Sequence, residues 1–300
     1  MLKNFKVLAI SLTTLAGLTI LSAHAADTAS FTPPKDPVIV VDKKANQLYL
    51  ADYNEGHLDI RKTYHATLGK KVGDKLMEGD LKTPEGIYDF LYLKQAPQLR
   101  AIFGPLAAYI GYPNVMDKNG SKTGNDIMLH GTDNPSRLEK NFDSLGCVVL
   151  DNANVKEVIS FLKMHDTKII ITKDFSVLKD SPRVDKAKAF FERWIKAWSD
   201  KDLTTYIESY SDEFMSEHMN RLQYAKFKDS LNKKYDTINV TASNVHVYLH
   251  EKYDLITFTQ HYKSTFKGGH QAFSGNSEKS LYIQERNGEY RILKEESIKQ

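Results

Sequence analysis

"DIMLHGTDNPSRLEKNFDSLGCVVLDN", Asp126 to Asn152, holds two short apolar runs separated by a polar loop. The first run ends at His130 and the second begins at Cys147, and each of these residues adjoins a glycine, Gly131 or Gly146. Apolar runs of this length bounded by Gly, Asn, Asp and Ser read as strands. If the two strands pair or neighbour each other, the His130 imidazole reaches the Cys147 thiol and takes its proton, leaving a sulfur nucleophile. Gly146 lets the backbone turn sharply and brings a substrate carbonyl near the amides of Gly146 and Cys147 as oxyanion donors. The spacing leaves a second arrangement open, a core histidine and a core cysteine that never meet.

Cys147 is the only cysteine in 300 residues. Its meaning depends on the compartment, and the N-terminus speaks to that. "MLKNFKVLAISLTTLAGLTILSAHAAD" has Lys3 and Lys6, an apolar stretch from Val7 to Leu21, and Ala23-His24-Ala25. This pattern predicts a secretory signal peptide, residues 1–25, cut after Ala25. An uncleaved anchor is the alternative, although the apolar run is short for a bilayer span; no later stretch reads as a span. Exported proteins usually hold cysteines in disulfide pairs, so a single one pairs with another molecule, is a reactive thiol, or is a small buried hydrophobe. The net charge of +3 is too small to argue for nucleic acid.

Upstream, "VIVVDKKANQLYLAD" reads as a hairpin of Val38 to Asp42 and Gln47 to Ala51 around the turn Lys43 to Asn46. "HLDIRKTYHATLG" continues with alternation to Gly69, and in "GDLKTPEGIYDF" a turn at Pro84 and Gly86 precedes another extended run. Residues 111–125 read as an irregular surface loop. Downstream, Asn154 and Glu157 mark a helix start that places Val155, Val158, Ile159 and Leu162 on one face. "TKIIITKD" closes this strand-rich unit, and a boundary follows at "LKDSPRVDKA". There Ser181 as N-cap and Pro182 at the first helical position open a helix with the apolar face Val184, Ala187, Phe190, Phe191, Trp194, Ile195 and Trp198. Helical pattern runs to about Lys234, after which the period is two, with a hairpin turn at Asn287-Gly288. The second unit is thus α+β.

Three motifs in order, "GDLKTPEGIYDF", "MLHGTD" and "SLGCVVLDN", resemble the signature of the L,D-transpeptidase (YkuD-type) catalytic family. The resemblance implies a mostly β catalytic domain over residues 36–175, a β-sandwich with short helices. "AFFERWIKAWSDKDLTTYIESYSDEF" with "ITFTQHYKS" and "YRILKEES" is similar to a nuclear-transport-factor-2-like (NTF2-like) cone-shaped domain, over residues 183–300. Carried over, Cys147 is the nucleophile, His130 its general base and Gly131 the main-chain group that orients the base. Ser144 and Gly146 are oxyanion or substrate-binding residues, and no metal or cofactor is implied. The implied substrates are peptidoglycan stem peptides in the periplasm, cut between the L-centre of meso-diaminopimelate and D-alanine. Glycan or peptide is the implied ligand of the C-terminal domain.

Two positions depart from the pattern. Leu145 stands where the family usually has histidine or arginine, and Val149 where it often has arginine. Both departures resemble the branch of cell-shape-determining L,D-carboxypeptidases, which trims tetrapeptide stems to tripeptides. An L,D-transpeptidase forming cross-links or protein attachments is the alternative, and a non-catalytic wall-binding protein is a third. In the second unit, Trp194, Trp198, Tyr210, Phe258 and Tyr262 are either a ligand pocket or the core of a curved sheet. His246, His250 and His261 lack the companions a metal site needs.

Overall fold

Every residue of "PVIVVD" is buried, and a strand buried on both faces has a packed layer on each side. Successive side chains point to opposite faces. Ile39 and Val41 accordingly join one core with Leu48, Leu50, Phe90, Leu129 and Val148. Val38 and Val40 join a different core with Ile87 and Ile170. A computed structural model describes residues 31–179, 181–216 and 218–298, so the signal peptide expected at residues 1–25 lies outside the described residues.

The first half contains β1 (Pro37–Asp42), β2 (Gln47–Asn54), β3 (His57–His65), β4 (Leu68–Gly69), β5 (Gly86–Gln95) and β6 (Leu106–Ile110). It continues through α1 (Val115–Asn119), β7 (Met128–His130), β8 (Phe142–Ser144), β9 (Val148–Val149), α2 (Asn152–Ser160) and β10 (Lys168–Thr172). Eight of these strands form one sheet in the order β3-β2-β1-β10-β5-β6-β7-β9. Thr67, just beyond β3, bridges Val149 of β9 through two backbone hydrogen bonds of 2.9 Å, so the two ends of the sheet meet. The β-rich unit is therefore one curled sheet, with β4 and β8 as a small parallel pair beside it and Val155, Val158 and Ile159 of α2 in its core.

Two local expectations are corrected. Residues 111–125 are not wholly irregular, because Asn114 and Asp117 form a reciprocal capping box that starts α1. The helix after β9 begins earlier than Asn154: Asp151 is its cap, accepting the Ala153 N–H at 2.7 Å.

The second half contains α3 (Arg183–Ser199), α4 (Leu203–Glu208), β11 (Met215–Ser216), β12 (Met219–Asn220) and α5 (Arg221–Lys234). A four-stranded antiparallel meander follows: β13 (Thr237–Tyr248), β14 (Asp254–Thr265), β15 (Gln271–Arg286) and β16 (Glu289–Ile298). Ser181 Oγ accepts the Arg183 N–H at 3.3 Å at the start of α3. The helix then buries Val184, Ala187, Phe190, Phe191, Trp194 and Trp198. At the hairpin turn Asn287 and Gly288 both have positive φ, 54° and 82°, as a tight hairpin requires.

The halves share a core. Val38, Val40, Ile87 and Ile170 leave the first sheet and pack with Phe175, Val184, Val247 and Leu249. Burying four such side chains stabilises by roughly 6–12 kcal/mol at about 1.5–3 each, which is on the scale of a whole domain's stability. Tyr253, between β13 and β14, crosses the seam and its hydroxyl accepts the Ile87 N–H at 3.0 Å. Gly86 permits this approach, since a Cβ there would sit 3.0 Å from the Tyr253 hydroxyl and 2.6 Å from that of Tyr88. Ions reinforce the seam: Lys252 pairs with Asp74 and Glu85, and His246 Nε2 lies 2.9 Å from Asp36 Oδ2.

Candidate active site

β7 and β9 lie side by side and parallel, with Leu129 opposite Val148 and His130 opposite Val149. His130 closes the first strand and Cys147 immediately precedes the second. The sheet thus brings together the two residues that are 17 positions apart in sequence.

His130 is buried, and its Nδ1 lies 2.5 Å from the carbonyl oxygen of Gly131. A carbonyl only accepts, so Nδ1 carries the proton and Nε2 keeps its lone pair. Gly131 thereby orients the ring through its main chain, and Phe103 meets the ring edge-on at 5.0 Å. Burial lowers the imidazole pKa to about 4; the Gly131 hydrogen bond opposes the shift and the Arg137 charge adds to it.

Cys147 is partly exposed, and its thiol donates to the Asp126 carbonyl over 3.7 Å. Burial pushes the thiol pKa up to about 11, against a hydrogen bond from the Met128 backbone and the charge of Arg137. The resting pair is a neutral thiol beside a neutral imidazole. Cys147 as a residue is only partly buried, which weakens the burial effect without reversing its direction.

The nucleophile turn is tied from within. Gly146 has φ 132°, a conformation that favours glycine, and a Cβ there would lie 2.8 Å from the Lys82 carbonyl oxygen. Its N–H donates to Ser144 Oγ at 3.1 Å, while the Ser144 hydroxyl donates to the Cys147 carbonyl at 2.7 Å. The Gly146 proton, expected from the sequence to face substrate, is engaged inside the turn in this structure. Behind the turn, Gly69 of β4 pairs with Ser144 of β8. The Gly69 N–H donates to Thr83 Oγ1 at 2.9 Å, so the Thr-Pro-Glu-Gly stretch braces the turn from behind.

Asn152 was not singled out by its sequence. Its Oδ1 accepts the Thr132 N–H and its Nδ2 donates to the Thr132 carbonyl, both at 2.9 Å. This two-point clamp fixes the loop that follows His130. The available signal was an amide side chain at the first position of the helix after Cys147.

Leu145 is 69% exposed beside the nucleophile. Val149 is wholly buried in the sheet between His130 and Thr67.

In the second half, Trp194, Tyr210 and Phe258 are core residues and Tyr262 packs against them. Lys228 is buried with its Nζ 4.0 Å from the Trp198 ring centroid, 5.1 Å from Tyr206 and 5.0 Å from Tyr224. Burial brings the Lys228 pKa down to about 8, opposed by the nearby Glu295 charge. The three histidines lie apart in role: His246 meets Asp36, His250 reaches the Ile171 carbonyl, and His261 bonds Ser243 and Asn276. Among the described residues no helix is long and apolar enough to cross a membrane.

Residues 36–171 match the YkuD family, the L,D-transpeptidase catalytic domain, and residues 186–296 match the Cds6 C-terminal NTF2-like domain. YafK of Escherichia coli strain K12, whose name places it among the L,D-transpeptidases, is 30% identical over 91 residues. The match takes in 30% of this chain and 32% of YafK, so the chain spans about a third of the length of the curated relatives it matches. Bd1075 of Bdellovibrio bacteriovorus is similar over 90% of this chain and 94% of its own, with a TM-score of 0.74 and 28% identity. The helical cell shape determining protein Pgp2 of Campylobacter jejuni is similar over 87% of this chain and 92% of its own, with a TM-score of 0.66 and 25% identity. With each half matched and both solved relatives similar along most of the chain, residues 36–171 are a domain of the YkuD-type L,D-transpeptidase family and residues 186–296 an NTF2-like domain.

Proposed function

We propose that this chain is an exported, periplasmic cysteine enzyme of peptidoglycan, an L,D-carboxypeptidase that trims tetrapeptide stems to tripeptides. The observation that carries the chemistry is the His130 ring, held by Gly131 with its Nε2 free, on the strand next to Cys147. On substrate binding, Nε2 takes the thiol proton and Sγ attacks the carbonyl between the diaminopimelate L-centre and D-alanine. The oxyanion accepts the Cys147 N–H. Collapse breaks the C–N bond, and D-alanine leaves with the proton from the imidazolium. Water, deprotonated by His130, then attacks the thioester and releases tripeptide and free thiol.

The choice of hydrolysis is supported by the likeness to a cell shape determining protein over most of both chains. The second reading, cross-linking by L,D-transpeptidation, is favoured by the family to which residues 36–171 match. The two differ only in whether water or an amine attacks the thioester. In this reading residues 1–25 direct export, and the C-terminal domain engages glycan or peptide of the wall.

Incubating the purified protein with disaccharide tetrapeptide and weighing the products separates these readings. Tripeptide with free D-alanine is the expected result. Dimers joined between diaminopimelates would replace hydrolysis with transpeptidation, and unchanged tetrapeptide would remove the enzymatic reading.

A further inference from the structure

The loop between His130 and Cys147 carries a short 3-10 turn, Pro135–Glu139, whose backbone is pinned from below. The wholly buried Thr67 offers its hydroxyl to the carbonyls of Arg137 and Lys140, at 3.1 and 2.7 Å. Arg137 extends from this turn and donates through Nη2 to the Asp143 carbonyl at 3.2 Å, one residue before Ser144. Only that one of its five N–H groups makes a hydrogen bond among the described residues.

Three cations crowd a single carboxylate here. Asp143 lies 3.8 Å from Arg137 Nε, 3.6 Å from Lys70 Nζ and 3.7 Å from Lys140 Nζ. These separations are long for charge-assisted hydrogen bonds, so the single Asp143 carboxylate leaves the three cations around it incompletely paired. Thr67, which holds the Arg137 carbonyl, also bridges Val149, the residue opposite His130, so the turn bearing Arg137 sits beside the strand ends that carry His130 and Cys147. The Arg137 charge favours the thiolate and disfavours the imidazolium, each behind burial and one backbone hydrogen bond.

An enzyme that removes one C-terminal residue has the substrate's free carboxylate about one residue, ~3.8 Å, beyond the bond it breaks. A cation that both sulfur and imidazole feel occupies the region where that carboxylate arrives. Arginine suits the task because its planar fork binds carboxylate through two parallel bonds. We propose that Arg137, seated on the Thr67-pinned turn with Lys70 and Lys140 beside it, is the specificity-determining residue that pairs with the free terminal carboxylate of the peptide cut at Cys147. The assignment rests on the carboxypeptidase reading and names how that site recognises a chain end.

The test compares disaccharide tetrapeptide with its C-terminal carboxamide, using full-length wild type, Arg137→Gln and Arg137→Lys. Wild type should prefer the acid at least ~10-fold in kcat/KM. Arg137→Gln should lose that preference mainly through KM, the acid-to-amide ratio falling toward one, and Arg137→Lys should keep part of it. A purely structural role would lower both substrates together and leave the ratio unchanged. That result, or a wild-type ratio near one, overturns the proposal. If wild type cuts neither peptide, the carboxypeptidase reading fails by itself, and calorimetric titration of the same two peptides decides Arg137. Acid binding at least ~10-fold weaker in Arg137→Gln then supports the carboxylate contact, and equal affinities overturn it.

Discussion

The edge and the middle of the first sheet are built on opposite plans. At the site end, β7 and β9 have three and two residues, and side chains do the holding: Ser144 ties the turn and Asn152 clamps Thr132. At the seam, β1 and β10 are continuously buried strands with apolar layers on both faces. Short strands leave backbone groups available for chemistry, and long doubly buried ones supply stability. The difference predicts that substitutions at the site end remove function with little cost in stability, whereas those at the seam do the reverse.

The largest effect is expected from Cys147→Ala and His130→Ala, each reducing tetrapeptide turnover at least ~10³-fold, with the double variant no worse because the pair acts as a unit. Retained far-ultraviolet dichroism would accompany the loss. A Cys147→Ala rate above a tenth of wild type would remove covalent catalysis. On the other side of the comparison, Ile170→Ala should cost about 2–5 kcal/mol in denaturant unfolding, while turnover per folded molecule stays close to wild type. Equal sensitivity of activity and stability to this change would show that the seam and the site are not separable.

Next comes the thiol. Since burial raises the Cys147 pKa, iodoacetamide labelling should have its midpoint above the ordinary cysteine value of about 8.5. The sequence reading, in which the His130 imidazole takes the Cys147 proton, predicts the reverse, a preformed ion pair that labels well below that pH. A low midpoint would restore the ion pair and mean that the local field outweighs desolvation.

Asn152→Ala should lower kcat about tenfold by freeing two backbone groups of Thr132, each worth roughly 1–3 kcal/mol when left unsatisfied. Unaltered kcat would place the loop after His130 under other control. The smallest effect concerns the seam's histidine. The hydrogen bond to Asp36 raises the His246 pKa above its ordinary value, so its contribution is complete below the unfolded value of about 6.5 and is lost as pH rises through the folded one. His246→Gln should therefore lower Tm slightly at acid pH and leave it unchanged in alkali. The same deficit at both ends of that range would make the contact one of packing alone.

The sequence made the site end readable because its residues are chemically unusual. A lone cysteine, a histidine and two flanking glycines carry meaning at fixed positions. What it left hidden depended on long-range pairing. Nothing local tells that Thr67 meets Val149 and closes the sheet, or that Gly69 pairs with Ser144 behind the nucleophile turn. The unbroken apolar runs "VIVV" and "III" read as strands and are buried on both faces, but an apolar run does not say what covers it. The helix α1 escaped because five residues are too few to show a period.

The shared core also bears on descent. Val38, Val40, Ile87 and Ile170 share one core with Phe175, Val184, Val247 and Leu249 of the second half, so one face of the first sheet is covered by residues beyond Asp174, while its other face has a core of its own. A recombination event joining this catalytic half to a different C-terminal module would set apolar ridges against unmatched hollows and leave Tyr253 without its place at Gly86. A crossover between β10 and α3 is therefore expected to cost folding stability before it touches the chemistry at Cys147, because the face of Val38, Val40, Ile87 and Ile170 would lose its cover.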